Sequence, residues 1–292
     1  MRGVVSAGMV AALETLGLRD CFDLVCGSSA GAIAGAYFVA GQARYGATIF
    51  YENINNKNFV DLRRLVGPKP VVSLEFLLDT VCISQKPLRF DRILQGDLPL
   101  YVVASSLNEK KAVMFGDFDG QQELIEALRG SARIPFFAGP PVPFRGDHLL
   151  DASVYESIPF RSVLSTFDVT DVVVLLTRPA GDLRSEPNWI DRNIVARNLS
   201  KFSGDFAVKY LERPSAYRDE FAFIQSRSAA TEPPYFLQVQ PPSSSAKVGS
   251  RETNRARLVR GAMDGYRAVY DALGQPAQQL AEIIAPFAAA NQ

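Results

Sequence analysis

One serine lies in a pattern that suits a nucleophile. Gly27-Ser28-Ser29-Ala30-Gly31 matches G-x-S-x-G, which is typical of a sharp turn between a strand and a helix. Such a turn strains the serine backbone, and only small flanking residues permit it. We expect Gly27 and Gly31 to clear the space around Ser29, and the amides of the following helix to favour negative charge nearby. The alternative is a Gly/Ser-rich turn with no chemical role.

A serine nucleophile also needs a base, and the chain has a single histidine, His148. His148 precedes Asp151, whereas α/β-hydrolases place the histidine after the acid. We therefore predict that His148 is a polar strand residue and not the base. Asp151 ends a short apolar run and is the predicted base, with a turn or cap aspartate as the alternative. Because aspartate is a weak base, with a pKa of about 3.9, proximity and oxyanion stabilisation must supply most of the rate.

The elements around these residues are those of an α/β protein. Residues 22–26 form an apolar run of strand length, and Ala30–Ala40 is apolar nearly all round, as a buried helix would be. Val4–Leu16 and Gln121–Leu128 have helical spacing. Apolar runs predict further strands at Leu98–Ser105, Lys111–Phe115, His148–Leu150, Asp171–Leu176 and Tyr235–Val239. The alternation of apolar strands with helices along the chain predicts a mainly parallel central sheet with helices on both faces.

The rest of the chain divides into a less regular region and a helical one. Residues 49–90 are mixed, and fit either a helical cap over a site or scaffold. Within them Leu74–Val81 could line an acyl groove, although core packing is the usual role of such a run. Longer helical stretches follow Pro179, with an amphipathic one from Glu252 to Leu273. We therefore predict a catalytic domain over 1–180 and a mainly helical extension over 181–292 that packs on it.

The amino-acid composition excludes several classes of binding partner. Lys+Arg and Asp+Glu are both 31, and no dense basic run suggests nucleic acid. The three cysteines lack the spacing of a zinc site and fit a reducing compartment, and no EF-hand loop is present, so no metal or cofactor is predicted. Without an apolar run of ~18 residues or a signal-peptide pattern, we expect a cytoplasmic protein that meets membranes only transiently, at their surface. The oligomeric state is not predictable.

Several segments together resemble the patatin-like phospholipase family. Its strand–G-x-S-x-G–helix corresponds to residues 24–36, and its Asp-Gly-Gly/Ala motif to Asp151-Ala152-Ser153, followed by Ile158-Pro159. Ala132–Phe137 is similar to the Ala-x-x-Ile-Pro-x-x-Phe block ahead of that aspartate. The resemblance spans roughly residues 1–180. It implies a three-layer patatin-like fold, a Ser–Asp dyad without histidine, no catalytic metal, and lipid acyl esters as substrates.

Two departures from the family pattern concern the site. Ala152 replaces the usual glycine, a mild change if the backbone there is accessible to alanine. The family's oxyanion loop reads Gly-Gly-Gly-x-Arg/Lys-Gly after a first strand, and Met1-Arg2-Gly3 matches only its end. Met1 is thus expected to be an internal methionine or the start of a natural truncation, with Arg2 and Gly3 bordering the site. Each oxyanion donor lost costs about 10²–10³ in rate.

Three functions are compatible with these residues. The first is a lipid acyl hydrolase of the phospholipase or lysophospholipase type, in which Ser29 forms an acyl-enzyme and Asp151 accepts its proton. The second is an acyltransferase or thioesterase with the same dyad, since the covalent half-reaction is shared. The third is a catalytically impaired lipid-binding protein, which the missing glycines support and the intact serine and aspartate oppose.

Overall fold

The structure is a computed structural model that describes residues 1–275. The α-helices are α1 (Val4–Thr15), α2 (Ala30–Val39), α3 (Ala43–Ala47), α4 (Ile49–Glu52), α5 (Phe90–Leu94), α6 (Gln121–Ser131), α7 (Phe160–Thr166), α8 (Ala196–Ser200), α9 (Gly204–Ser228) and α10 (Arg255–Ala272). The strands are β1 (Val25–Ser28), β2 (Leu100–Ser106), β3 (Ala112–Phe115), β4 (Val142–Phe144), β5 (Asp147–Leu150), β6 (Asp171–Leu175) and β7 (Tyr235–Val239). Two π-helical segments, Phe76–Gln85 and Asp191–Val195, and short 3₁₀ turns complete the chain.

The strands form two sheets. The larger has the order β1-β2-β5-β4, with β3 also paired to β2, and the smaller consists of β6 and β7. Pairing is parallel between β1 and β2 and between β6 and β7. These two pairs have the direction that the predicted mainly parallel sheet implies. It is antiparallel where β3, β4 and β5 join, so the five-stranded sheet is mixed. The predicted α/β class is confirmed.

Sheet register brings the ends of two strands together. Ser28, the last residue of β1, pairs with Val103 on β2, and Leu150, the last residue of β5, pairs with Ser105. Because β5 runs against β2, its carboxyl end reaches the level at which β1 ends. The residues that follow the two strands, Ser29 and Asp151, therefore lie beside each other.

Helix α2 covers this part of the sheet closely. A Cβ added at Gly35 would lie 3.2 Å from Val25 Cγ1 and 3.5 Å from Leu100 Cδ1, so the small residues of α2 let its backbone approach β1 and β2. Tyr37, near the end of the helix, is 1% exposed and donates its hydroxyl to the carbonyl of Lys86 at 2.6 Å. The predicted strand–turn–helix unit is therefore present.

Helices α1 and α10 contact each other backbone to backbone. A Cβ at Gly8 would lie 2.0 Å from the carbonyl oxygen of Ala262, and one at Gly265 would lie 2.1 Å from that of Val5. The aromatic residues Tyr266 and Tyr270 are each 1% exposed in the same core as α1 and α2. The described part of the predicted extension thus shares its core with the N-terminal region, while residues 276–292 lie outside the described residues.

The irregular region after α4 folds over the same core as α2. Ile54, Val72 and Leu74 are buried there, and the π-helical segment contributes Leu78 and Val81. Within residues 1–275, no helix combines the length and the apolar character that crossing a bilayer requires.

Candidate active site

Ser29 occupies the turn between β1 and α2 in a strained conformation. Its backbone has φ +53° and ψ −128°, and positive φ is uncommon for a residue with a Cβ. Such strain persists only where the surrounding structure holds it. The turn presents the serine side chain at the end of the strand, as the G-x-S-x-G pattern predicted.

The Ser29 hydroxyl donates a hydrogen bond to Asp151 Oδ2 at 2.7 Å. Asp151 is 4% exposed, and its other carboxylate oxygen accepts the amide of Ser153 at 3.0 Å. Its own amide donates to the carbonyl of Arg133 at 3.0 Å, and its carbonyl accepts the Ser105 hydroxyl at 2.9 Å. The aspartate is thus held on several sides, with one oxygen aimed at the serine.

A buried serine that the sequence analysis did not single out, Ser131, supports the turn. Ser131 is fully buried and accepts the amide N–H of Ser29 at 2.7 Å. Its hydroxyl hydrogen goes to the carbonyl of Val103 at 2.6 Å. The side chain therefore connects the strained residue to β2. It lies just before the Ala132–Phe137 block, which is the only local hint of its position.

The two glycines of the motif differ in what they are needed for. A Cβ at Gly27 would lie 2.5 Å from Ala32 Cα and 2.7 Å from Ala32 N, so a glycine is required there. A Cβ at Gly31 would meet nothing within 4 Å. The expectation that Gly31 clears space within the protein is therefore corrected, because that side of the turn is open.

Arg2 and Gly3 lie beside the serine turn. A Cβ at Gly3 would be 2.5 Å from the Ala30 Cβ, which places the start of α1 against the start of α2. Neither helix has a side chain capping its N-terminus, and the first amides of a helix have no partner within it. The amides of Val4 and Val5 donate to the carbonyls of Met1 and Arg2. Those of Gly3, Ala30 and Gly31 make no hydrogen bond within residues 1–275, and their partial positive charge near Ser29 favours an anion.

Ser29 is among the residues that line a cavity of about 180 Å³. Its lining includes Arg2, Gly3 and Ser29, and is otherwise mostly apolar, with side chains from α1, α2 and the irregular region. Leu74 and Leu77 are among them, so residues 74–81 contribute both to the core and to this cavity. Residues between 49 and 77 thus line the cavity and also belong to the hydrophobic core, so the two predicted roles, a cap over the site and scaffold, both stay predictions.

The remaining predicted residues lie as follows. His148 is exposed on β5 and pairs with Pro143 of β4, in agreement with a polar strand residue. Ala152 is fully buried and begins a 3₁₀ turn without positive φ, so alanine fits where the family has glycine. Over residues 1–275, no group of three or more His, Cys, Asp or Glu side chains is arranged to hold a metal ion.

Comparison with known proteins identifies the family. A profile described as patatin-like phospholipase matches residues 1–164. An uncharacterised protein of Escherichia coli K12, YjjU, is 26% identical over 232 residues, which cover 77% of this chain and 62% of the relative. VipD from Legionella pneumophila is a structural neighbour with a TM-score of 0.47 and 13% identity, over 94% of this chain and 65% of VipD. Because the profile covers more than half of the 292 residues, the chain belongs to the patatin-like phospholipase family.

Proposed function

We propose that the protein is a lipid acyl hydrolase in which Ser29 is the nucleophile and Asp151 the general base. The observation that carries the proposal is the 2.7 Å hydrogen bond from Ser29 Oγ to Asp151 Oδ2, made by a serine that lines a mostly apolar cavity. Family membership supports hydrolysis of lipid esters in general terms.

The reaction follows from the positions of these groups. Ser29 Oγ attacks the ester carbonyl while Asp151 Oδ2 accepts the hydroxyl proton. The proton then passes to the leaving alkoxide, which departs as the alcohol and leaves an acyl-serine. Asp151 next takes a proton from water, whose oxygen attacks the acyl-serine, so that the fatty acid is released and Ser29 is restored. A nearby aspartate suffices as base because the two groups are already in hydrogen-bond contact.

Negative charge on the carbonyl oxygen needs donors, which the two meeting helix starts would provide. The amides near Gly3 and at the start of α2 are free of side-chain caps and adjacent through the Gly3–Ala30 contact. We assign the oxyanion site to this junction, with Arg2 and Gly3 at its border. Each such donor contributes about 10²–10³ in rate.

The cavity fits the acyl part of the substrate. An apolar cavity of roughly 150 Å³ binds benzene, so one of about 180 Å³ holds on the order of six to eight carbon atoms. Longer chains would extend beyond it towards solvent. Because lipid substrates reside in membranes or micelles, the proposal includes transient surface contact, which exposed apolar side chains such as Val66 and Trp189 support. A cytoplasmic location is part of the proposal, and the three free cysteines fit it.

Labelling with a fluorophosphonate probe tests the dyad directly. We expect the probe to modify Ser29, as mapped by peptide mass spectrometry, and to leave the Ser29→Ala variant unlabelled. Asp151→Asn should lower kcat for a soluble ester by about 10⁴-fold, because the base is lost while the fold remains. Asp147→Asn, at the start of the strand that Asp151 follows, is the matched control and should retain activity. Labelling elsewhere, or full activity of Asp151→Asn, would contradict the proposal.

A further inference from the structure

The loop formed by residues 57–71 exposes apolar side chains. It contains a short 3₁₀ helix, Leu62–Val66, whose three apolar side chains, Leu62, Leu65 and Val66, are all exposed to solvent. Val66 is 96% exposed, so it packs on almost nothing within the described part of the chain. Apolar side chains grouped on a surface in this way commonly mark a site of interaction.

A phenylalanine from a distant part of the sequence extends this apolar surface. Leu65 and Phe136 line the same cleft, which has a volume of about 580 Å³. Phe136 is itself exposed, and Pro68 and Pro140 also line the cleft. Folding therefore brings two segments together, and the apolar surface is larger than the 3₁₀ helix alone.

Basic side chains accompany these apolar ones. Residues 57–71 contain four cations, Lys57, Arg63, Arg64 and Lys69, and one carboxylate, Asp61, in a chain whose net charge is zero. None of the four cations forms an ion pair within 4.0 Å in the described part of the chain. Asp61 instead accepts the amide of Arg63 at 3.0 Å. The loop therefore has a local excess of positive charge.

Nearby contacts hold the loop in shape and leave this charge in place. The Arg64 guanidinium donates to the carbonyls of Lys57 at 2.8 Å and Asn58 at 3.3 Å. Both acceptors are neutral, so the positive charge of Arg64 remains. Glu75, the carboxylate that lines the adjoining cleft, is paired with Arg133 at 3.1 Å. The loop thus presents a preformed surface that matches a negatively charged partner.

The base of the loop belongs to the wall of the cavity that Ser29 lines. The amide of Ser73 donates to the carbonyl of Phe59 at 2.8 Å, so the chain enters and leaves the loop side by side. Phe59 and Val72 line the cavity together with Ser29. The same short stretch of chain therefore has an apolar inner side in the cavity and an apolar, basic outer side in solvent.

We propose that loop 57–71 docks the protein on the surface of an anionic lipid bilayer. Leu62, Leu65 and Val66 enter the interfacial layer, and the basic side chains contact the anionic head groups. An acidic protein would match the charge alone, whereas the position of the loop in the cavity wall favours a partner that contains lipid. This inference rests on the proposed function, for which it identifies the docking surface and the charge of the membrane.

Vesicle binding by a chain without the proposed nucleophile tests the docking surface. The full-length Ser29→Ala variant is sedimented with vesicles of phosphatidylcholine and phosphatidylglycerol in equal parts, and with vesicles of phosphatidylcholine alone. We expect the partition coefficient to be about 10-fold or more higher for the anionic vesicles, and to fall as added salt screens the charges. Equal partition into the two kinds of vesicle, or none into either, would overturn the inference.

Removing two exposed cations measures the contribution of charge. In the Ser29→Ala background, Arg63→Gln combined with Lys69→Gln should lower partition into the anionic vesicles about 10-fold or more. Arg260→Gln combined with Arg267→Gln, at two exposed positions of α10, removes the same charge elsewhere and should have an effect of about 2-fold or less. An equal loss in both double variants would mean that overall charge, and not the loop, controls binding.

Substitution of Val66 measures the apolar contribution. Val66→Ser should lower partition into the anionic vesicles about 3-fold to 10-fold, because less apolar surface is removed from water. Val208→Ser, at an exposed valine of α9, is the matched control and should keep the value of its parent. A loss confined to Val208→Ser would place the contact on α9 and overturn the assignment to the loop.

These measurements separate the docking loop from the hydrolase proposal, because binding by the Ser29→Ala chain requires no reaction. If the wild-type chain hydrolysed no ester, the hydrolase proposal would fail, and vesicle binding would still decide the role of the loop. Hydrolysis of a soluble ester by a chain that binds no vesicle would have the opposite meaning. It would support the hydrolase proposal and remove the docking loop.

Discussion

The backbone of Ser29 is held in place by contacts on both sides of the turn. Gly27 allows α2 to begin against β1 without a clash, and Ser131 accepts the Ser29 amide at 2.7 Å. The positive φ of Ser29 is thereby compensated by a hydrogen bond that an ordinary strand-to-helix connection would not need. The geometry of the proposed Ser29–Asp151 dyad depends on these supports as much as on its own two side chains.

Removing the Ser131 hydroxyl tests this support. Ser131→Ala leaves the amide of Ser29 and the carbonyl of Val103 without their partner. The free energy of unfolding should fall by about 1–3 kcal/mol, the cost of a buried unsatisfied group. Fluorophosphonate labelling of Ser29 should slow by about 10-fold or more, because small displacements of a nucleophile are expensive. Ser226→Ala, exposed on α9, is the control, and equal labelling rates in the two variants would refute the role.

Sequence reasoning finds some of these residues and misses others for a physical reason. Ser29, Gly27 and Asp151 lie in short motifs whose local geometry determines what they do. Ser131 lies in no such motif, and its contact with Ser29 joins residues that are 102 positions apart. Nothing in the local pattern distinguishes Ser131 from a serine that ends a helix.

The hydrophobic pattern of the sequence predicts where helices and strands lie better than it predicts how the strands pair. The predicted helix at Val4–Leu16 and strand at Tyr235–Val239 agree with α1 and β7 to within a residue. Strand β4 was not predicted, because it is three residues long and contains Pro143, which edge strands tolerate. The direction of β5 was also beyond prediction, since the strand is short and its hairpin partner β4 gave no signal.

The close packing of helices α1 and α10 can be tested with a single substitution. A side chain at position 265 would lie 2.1 Å from the Val5 carbonyl, so Gly265→Ala must push the two helices apart. We expect a loss of about 1–3 kcal/mol in unfolding free energy, as for other overpacked cores. Gly204→Ala, where an added Cβ meets nothing within 4 Å, should be neutral or slightly stabilising. Urea unfolding measures both, and similar midpoints for the two variants would contradict close helix contact.

In the molecule as a whole, Glu220 connects helix α9 to the loop that contains Ser157 and Ile158, near the proposed dyad. This carboxylate is 2% exposed and accepts the amides of Ser157 and Ile158 at 3.1 and 3.2 Å. Burial raises the pKa of Glu220 to about 7, with a further increase from Glu156 and a decrease from the two amides and Arg161. The carbonyl of Ser157 also accepts the hydroxyl of Ser28, so Glu220 connects α9 to the residue before Ser29.

The raised pKa has a definite consequence for stability against pH. The folded protein holds the Glu220 proton more tightly than the unfolded chain, whose ordinary value is 4.5. The contribution to stability is therefore complete below about pH 4.5 and is lost as the pH rises through about 7. Glu220→Gln should reduce the drop in unfolding free energy between pH 5 and pH 8 by about 1–3 kcal/mol. Glu212→Gln, exposed on the same helix, is the control, and an unchanged drop in Glu220→Gln would exclude this group as its source.

The close contact of α1 with α10 also sets the order in which the molecule can be completed during synthesis. Helix α1 begins at Val4, and its glycine-lined face is covered by Ala262 and Gly265, which leave the ribosome some 250 residues later. At roughly 5–20 residues per second, the start of α1 must wait many seconds for the helix that holds it. Because Gly3 adjoins the serine turn, a nascent chain would have its Ser29 motif long before its oxyanion junction. The proposed oxyanion junction would thus form only after α10 has been synthesised and packed on α1.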